Sequence, residues 1–215
     1  VAIEVATVIV MAVADRRLAT TGRGDVIISL ADPAAWLLLT GAVAAAGVGW
    51  VVATQQPAHP VGWLFLGLSA AVLASGAVDE WYAFSSVGAG TLPGGDIAAT
   101  VGDRIFIPWF TTVTLVLLLT PTGRYLSPRW RLVGRATIVA SGLGIIGDGP
   151  LESYPGARNP FTVVALNPAA RIGGLIMVLV VGVCLLAGAA SLVVRFRRAT
   201  GEERRQLLWL LLAVV

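Results

Sequence analysis

From Ile172 to Val194 the chain runs for 23 residues without a charged side chain, and Arg195-Phe-Arg-Arg198 follows at once. A bilayer core about 30 Å thick takes roughly 20 residues of helix, so such a run reads as a membrane span ending in a basic collar. The pattern recurs along the chain. By the same ruler, segments 1–14, 34–54, 61–82, 101–120, 132–148, 172–194 and 206–215 form seven spans, the first and last cut short. The expected fold class is therefore an all-α membrane protein, a polytopic helical bundle. Composition agrees where it decides something: 13% of residues are charged, against about 25% in soluble chains, and the mean hydropathy is +0.85. Pro33, Pro60 and Pro168 stand at helix starts, where a missing N–H costs nothing, while Pro121 and Pro150 stand just past helix ends.

Orientation follows from the connector Val194–Gln206, which sets five arginines against Glu202 and Glu203. Short arginine-rich connectors stay in the cytoplasm. Connectors 55–60, 121–131 (with Arg135) and 195–205 must share one side. They hold nine of the fifteen arginines, while the opposite connectors hold six. The cytoplasmic juxtamembrane set is Arg124, Arg129, Trp130 and Arg131 together with Arg195, Arg197, Arg198, Thr200, Glu203, Arg204 and Arg205. The N-terminus then faces the cytoplasm of a bacterial plasma membrane, although Asp15-Arg-Arg17 runs against the bias. Thr200-Gly-Glu-Glu203 spells a capping box, so a new helix starts there and enters the last apolar segment. The pI of 9.7 reflects arginines at helix ends, so it points to topology and not to a nucleic-acid partner.

Chemistry-bearing residues are few. Gly41, Ala45 and Gly49 at four-residue spacing form a small-residue face for close helix packing, within the chain or in a homodimer. His59, the one histidine, sits in a six-residue connector and reads as a polar loop residue. At the far end of segment 61–82 come Asp79, Glu80 and Trp81; Asp103 and Arg104 open the next helix, with Trp109 below them. These six are the candidate outward-facing polar cluster for sensing a signal. The Gly-rich stretch Ser85–Thr100 reads as a loop, and Asp148–Pro160 as a short acidic loop with room for a lid. Cys184 reads as a small apolar residue in a helix. No spacing suggests a metal site, a nucleophile or a phosphate loop, so neither catalytic residues nor cofactors are expected in this chain.

Four stretches, taken together, resemble a known family. They are Pro60-Val-Gly-Trp-Leu-Phe-Leu66, Thr120-Pro-Thr-Gly-Arg-Tyr-Leu-Ser-Pro-Arg-Trp-Arg131, Gly156-Ala-Arg-Asn-Pro160 and Arg195-Phe-Arg-Arg-Ala-Thr-Gly-Glu-Glu-Arg-Arg-Gln206. In order and spacing they look like the N-terminal multi-helix sensor region of actinobacterial two-component sensor histidine kinases. The likeness covers about 150 residues, and each motif alone is loose. Thr122 stands where the family has Asp, Leu126 where it has Pro, and His59 where it has Asn. The resemblance implies an eighth helix beyond residue 215. After it would come a dimerising phosphoacceptor domain and an ATP-binding domain using ATP and Mg, with a response regulator as partner. The expected function is signal transduction: a stimulus at the outer face or within the lipid bilayer is passed to a cytoplasmic output domain. Without the resemblance, the residues also fit a non-enzymatic polytopic subunit of a larger membrane complex. A transporter needs midplane charges, and only Glu4 interrupts an apolar run.

Overall fold

The computed structural model describes Ile9 and residues 33–87, 93–146, 154, 157–160 and 167–198. Among them the regular structure is helical, in five complete helices. These are α1 (Pro33–Gln55), α2 (Pro60–Val87), α3 (Gly95–Leu119), α4 (Pro128–Ile146) and α5 (Asn167–Arg198). Four stretches are long and apolar enough to cross a membrane: Pro33–Gln55, Pro60–Ser85, Gly95–Leu119 and Ile172–Arg198. α4 is not among them, being 19 residues long with Arg129, Arg131 and Arg135 in its first half. Of the expected segment 1–14 only Ile9 is described, and it is helical; segment 206–215 lies outside the described residues.

α3 is the hub, packing against α2, α4 and α5, while α1 packs on α2. α3 also starts earlier than expected. The stretch Ser85–Thr100 is not one loop: α2 continues to Val87, and α3 begins at Gly95 behind Gly94, whose φ of 88° is left-handed. Apart from Ile97, residues 95–100 are small or polar, so a hydropathy ruler does not register them. They form helix because Ala98, Ala99 and Thr100 are buried in the bundle, where the Thr100 hydroxyl is satisfied by the Asp96 carbonyl at 2.7 Å. Asp103 and Arg104 therefore sit two turns inside α3, not at its start.

The interior is built largely from small and hydroxyl side chains with a few leucines such as Leu73 and Leu118, and most of the other large aliphatics point out. Thr114, Thr137, Ser69 and Ser191 are among the most deeply buried residues, whereas Leu37 is 75% and Leu186 72% exposed. In water so much exposed apolar surface is unfavourable; in lipid it is the ordinary outer face, and small interior residues let helices approach. Several of these hydroxyls turn onto carbonyls of their own helix, as Thr114 does onto Phe110 at 2.7 Å and Thr137 onto Val133 at 2.9 Å, while the Ser191 hydroxyl has no partner among the described residues. Thr111 and Ser141 join α3 to α4 by a hydroxyl–hydroxyl bond.

The α1–α2 hairpin closes on two glycines. A Cβ on Gly49 would lie 2.8 Å from the Leu66 amide nitrogen and 2.9 Å from the Gly62 carbonyl; one on Gly62 would lie 2.7 Å from the Ala53 amide nitrogen. Ala42, Ala45, Ala46 and Ala53 fill the same buried stripe. Of the predicted small face, Ala45 and Gly49 are therefore inside, while Gly41 meets nothing within 4 Å. The reason is phase: two steps of four residues drift about 80° around a 3.6-residue helix, carrying Gly41 off the stripe.

Candidate functional site

The connectors gather at two opposite ends. At one end, His59 Nε2 is 3.1 Å from the Pro121 carbonyl oxygen, joining the α1–α2 turn to the segment after α3. Gly123 adopts a φ of +70°, and its N–H returns to the Leu119 carbonyl at 2.7 Å, a left-handed helix terminus. A Cβ there would also stand 3.0 Å from His59 Nε2, a tight contact, so space as well as conformation favours glycine.

Arg195 completes this end. It is only 4% exposed, whereas Arg197 and Arg198 are exposed. Its guanidinium donates to the Leu118 carbonyl at 2.8 Å, to the Thr122 hydroxyl at 3.0 Å and to the Arg124 carbonyl. Leu118 lies in the last turn of α3, whose final carbonyls have no helical partner and carry the negative end of the helix dipole. One planar, forked cation thus terminates α3, fixes the turn after it and ties both to α5. A lysine offers no such fork. The sequence reading placed Arg195 with the exposed topological arginines; it is instead a buried latch. Of the rest of that set, Arg124, Arg129 and Arg131 are exposed and Trp130 half-buried, while Thr200, Glu203, Arg204 and Arg205 lie outside the described residues.

At the other end stands Tyr154, a residue the sequence reading passed over. Its hydroxyl donates to Asp79, its ring meets Tyr82 edge-on with centroids 4.9 Å apart, and it presses on Gly102, where a Cβ would lie 2.6 Å from its Cζ. Burial, then the hydrogen bond to Asp79 and the charges of Asp79 and Asp103, push the phenol well above its ordinary pKa. Nearby, the Arg158 N–H donates to Asp96 at 3.0 Å. The candidate polar cluster divides around this tyrosine. Asp79 turns inward to it, and Glu80 is half-buried beside it in sequence. Trp81 is exposed and donates to the Pro93 carbonyl at 3.2 Å. Trp109 is half-buried with an indole N–H that has no acceptor among the described residues.

Asp103, whose charge also reaches Tyr154, and Arg104, whose guanidinium donates to the Thr100 carbonyl at 2.9 Å, border a second space as well. Between α3, α4 and α5 lies a lateral cleft of about 510 Å³, within the size range of small-molecule sites. Phe106 and Phe110, Gly144, Met177, Val181 and Leu185 contribute to its apolar wall, and among the described residues Asp103 and Arg104 are the charged ones that line it. Beside it Pro108 interrupts α3, removing the N–H that would bond the Arg104 carbonyl. Among the described residues no group of three His, Cys, Asp or Glu side chains is placed to hold a metal ion.

Removing the Tyr154 hydroxyl tests how firmly this end is closed. Tyr154→Phe is expected to lower stability by about 1.5–3 kcal/mol, the usual contribution of a hydrogen bond to a charged group, as read by thermal unfolding in detergent. A phenol pKa raised on folding contributes stability below its unfolded value, near 10, and loses it as the pH rises through the folded value. The difference between the wild type and Tyr154→Phe should therefore stay flat from about pH 6 to pH 9.

Comparison with known proteins yields no matching family model, no similar curated protein and no similar solved structure, so the functional reading rests on the chain's own geometry.

Proposed function

We propose that this chain is the membrane-embedded sensory region of a bacterial signalling protein, oriented with the Arg195 end in the cytoplasm. The observation that carries the proposal is that α3 and α5 serve both ends of the bundle. They wall the cleft beside Asp103 and Arg104, and Arg195 ties them together where α5 leaves the bundle. A ligand that favours one spacing of these helices over another shifts the balance between the two arrangements, and the latch passes that shift into the chain after Arg198. The exposed tryptophans support a lipid setting. Trp36 and Trp81 lie toward one end, Trp50 and Trp63 toward the other, as amphipathic rings do at two membrane interfaces.

The output domain we propose is a histidine kinase following residue 215, using ATP and Mg, acting as a homodimer and phosphorylating a response regulator. It rests on the resemblance of the four motifs. The test is to express the whole chain joined to the reading frame that follows it in the gene and assay autophosphorylation in membranes. Phosphate on a histidine, changed by Arg195→Met, is the expected result. A frame that stops after one further helix, in a chain that copurifies stoichiometrically with another membrane complex, would replace this reading with that of a non-enzymatic subunit.

A further inference from the structure

α4 turns two of its arginines away from the bundle. Gly134, Thr137, Ala140 and Ser141 are buried on its inner side. At about 100° per residue, Arg135 falls near the middle of the exposed arc, flanked by exposed Arg131, Leu132, Ile138 and Val139. Depth follows from the antiparallel pairing with α3. The Thr111 hydroxyl meets that of Ser141, and a Cβ on Gly144 would lie 3.0 Å from Ile107 Cδ1. Counting back along α4 from Ser141 and forward along α3 from Thr111, Arg135 is level with Leu117, and Arg131 with Pro121, just past the end of α3. Arg131 therefore stands at the rim of the bundle and Arg135 one turn inside it, on a face of exposed aliphatics. A guanidinium facing hydrocarbon is costly unless it reaches a polar partner. Helical side chains lean toward the N-terminus, which for α4 is the Arg195 end, so Arg135 extends back toward Arg131 and the headgroup layer.

Like charges four residues apart on one helix face repel. No acid on the neighbouring elements answers them: residues 120–146 and the whole of α5 contain neither Asp nor Glu. The connectors of this end hold two acids, Glu202 and Glu203, against nine arginines. A phosphodiester matches the guanidinium fork and cancels the repulsion between the pair. The amine of a zwitterionic head would be repelled by so basic a surface, and an anionic head brings none. Leu132 and Val139 on the same arc give acyl chains a surface that a soluble phosphate would not use. We propose that Arg131 and Arg135 hold the phosphate of one anionic phospholipid on the exposed face of α4, with its acyl chains along Leu132 and Val139. The proposal requires this end of the bundle to lie at a bilayer surface, and it does not rest on the sensory reading.

Native mass spectrometry of the full chain tests the proposal. The protein is released from detergent after incubation with equal amounts of phosphatidylglycerol and phosphatidylethanolamine. One phosphatidylglycerol per chain should be retained, preferred about tenfold over phosphatidylethanolamine, a difference of one decade in affinity. The double variant Arg131→Gln/Arg135→Gln should cut that preference to about twofold or less with helix content unchanged. Arg197→Gln/Arg198→Gln removes the same charge from the end of α5 and should leave the preference within about twofold of wild type. Glycerophosphoglycerol, the same head without its chains, should not displace the lipid at equal concentration. Equal losses in the two double variants would reduce the effect to diffuse attraction by a basic end and overturn the proposal. A preference untouched by Arg131→Gln/Arg135→Gln overturns it too, giving those arginines to Glu202 and Glu203. Displacement by glycerophosphoglycerol overturns it in favour of a soluble phosphate ester. A folded chain that retains no lipid does so as well, leaving this face of α4 to a second copy.

Discussion

Arg195→Met is expected to lower the stability of the bundle by about 3 kcal/mol and to free α5 from α3 at the Arg195 end. Methionine fills a similar apolar volume, so packing is largely kept and the loss is that of the fork. The Leu118 carbonyl, in the last turn of α3, is left without its buried donor, and the Thr122 hydroxyl and Arg124 carbonyl lose theirs. An orphaned buried acceptor costs roughly 1–3 kcal/mol, and a hydrogen bond to a charged donor contributes about 1.5–3. Arg195→Lys should recover part of the loss, because a single ammonium reaches one or two of the three acceptors. Arg198→Met is the control: Arg198 is exposed, so its replacement should change stability by less than about 0.5 kcal/mol. Thermal unfolding in detergent reads all three variants. Equal effects of Arg195→Met and Arg198→Met would remove the latch.

The second large effect is expected in the α1–α2 hairpin. Gly49→Val and Gly62→Val should each destabilise it by about 1–3 kcal/mol or more, the range for overpacking a tight contact. The clash is with backbone, since the added Cβ at either position meets an amide nitrogen of the facing helix at 2.8 or 2.7 Å, and no rotamer change relieves it. Gly41→Val and Gly67→Val, on faces with nothing within 4 Å, should be tolerated. Protease sensitivity of the 55–60 connector would report the loosening. If the Gly41 and Gly49 variants behaved alike, the hairpin contact described here would be wrong.

These two predictions mark what the sequence discloses and what it hides. Uncharged runs of about 20 residues located α1, α2 and α5 to within a few residues, because apolar length is a local property. α3 was cut short because residues 95–100 are helical through burial against neighbours, which no window of hydropathy records. The role of Arg195 was hidden by its company. Beside Arg197 and Arg198 it reads as one more topological charge. Its phase was nonetheless legible: Val181, Cys184, Gly188, Ser191 and Leu192 form the buried stripe of α5, and Arg195 is its next step. Nothing comparable announces Tyr154, whose partner Asp79 lies 75 residues away in sequence and is reached only through the fold. Asp103 and Arg104 were singled out for their charge, but the cleft they border is formed by three helices and is not a feature of any one of them.

The sensory reading proposed for this chain depends on the Arg195 end of the bundle facing the cell interior. The direct test is thiol labelling of single-cysteine additions at two exposed positions, Arg158 at the Tyr154 end and Arg198 at the end of α5. The native Cys184 is buried and gives the background. In intact cells a membrane-impermeant maleimide should label the Arg158→Cys protein and leave Arg198→Cys untouched until the membrane is opened. Labelling of Arg198→Cys from outside, with Arg158→Cys protected, would invert the molecule and contradict the account.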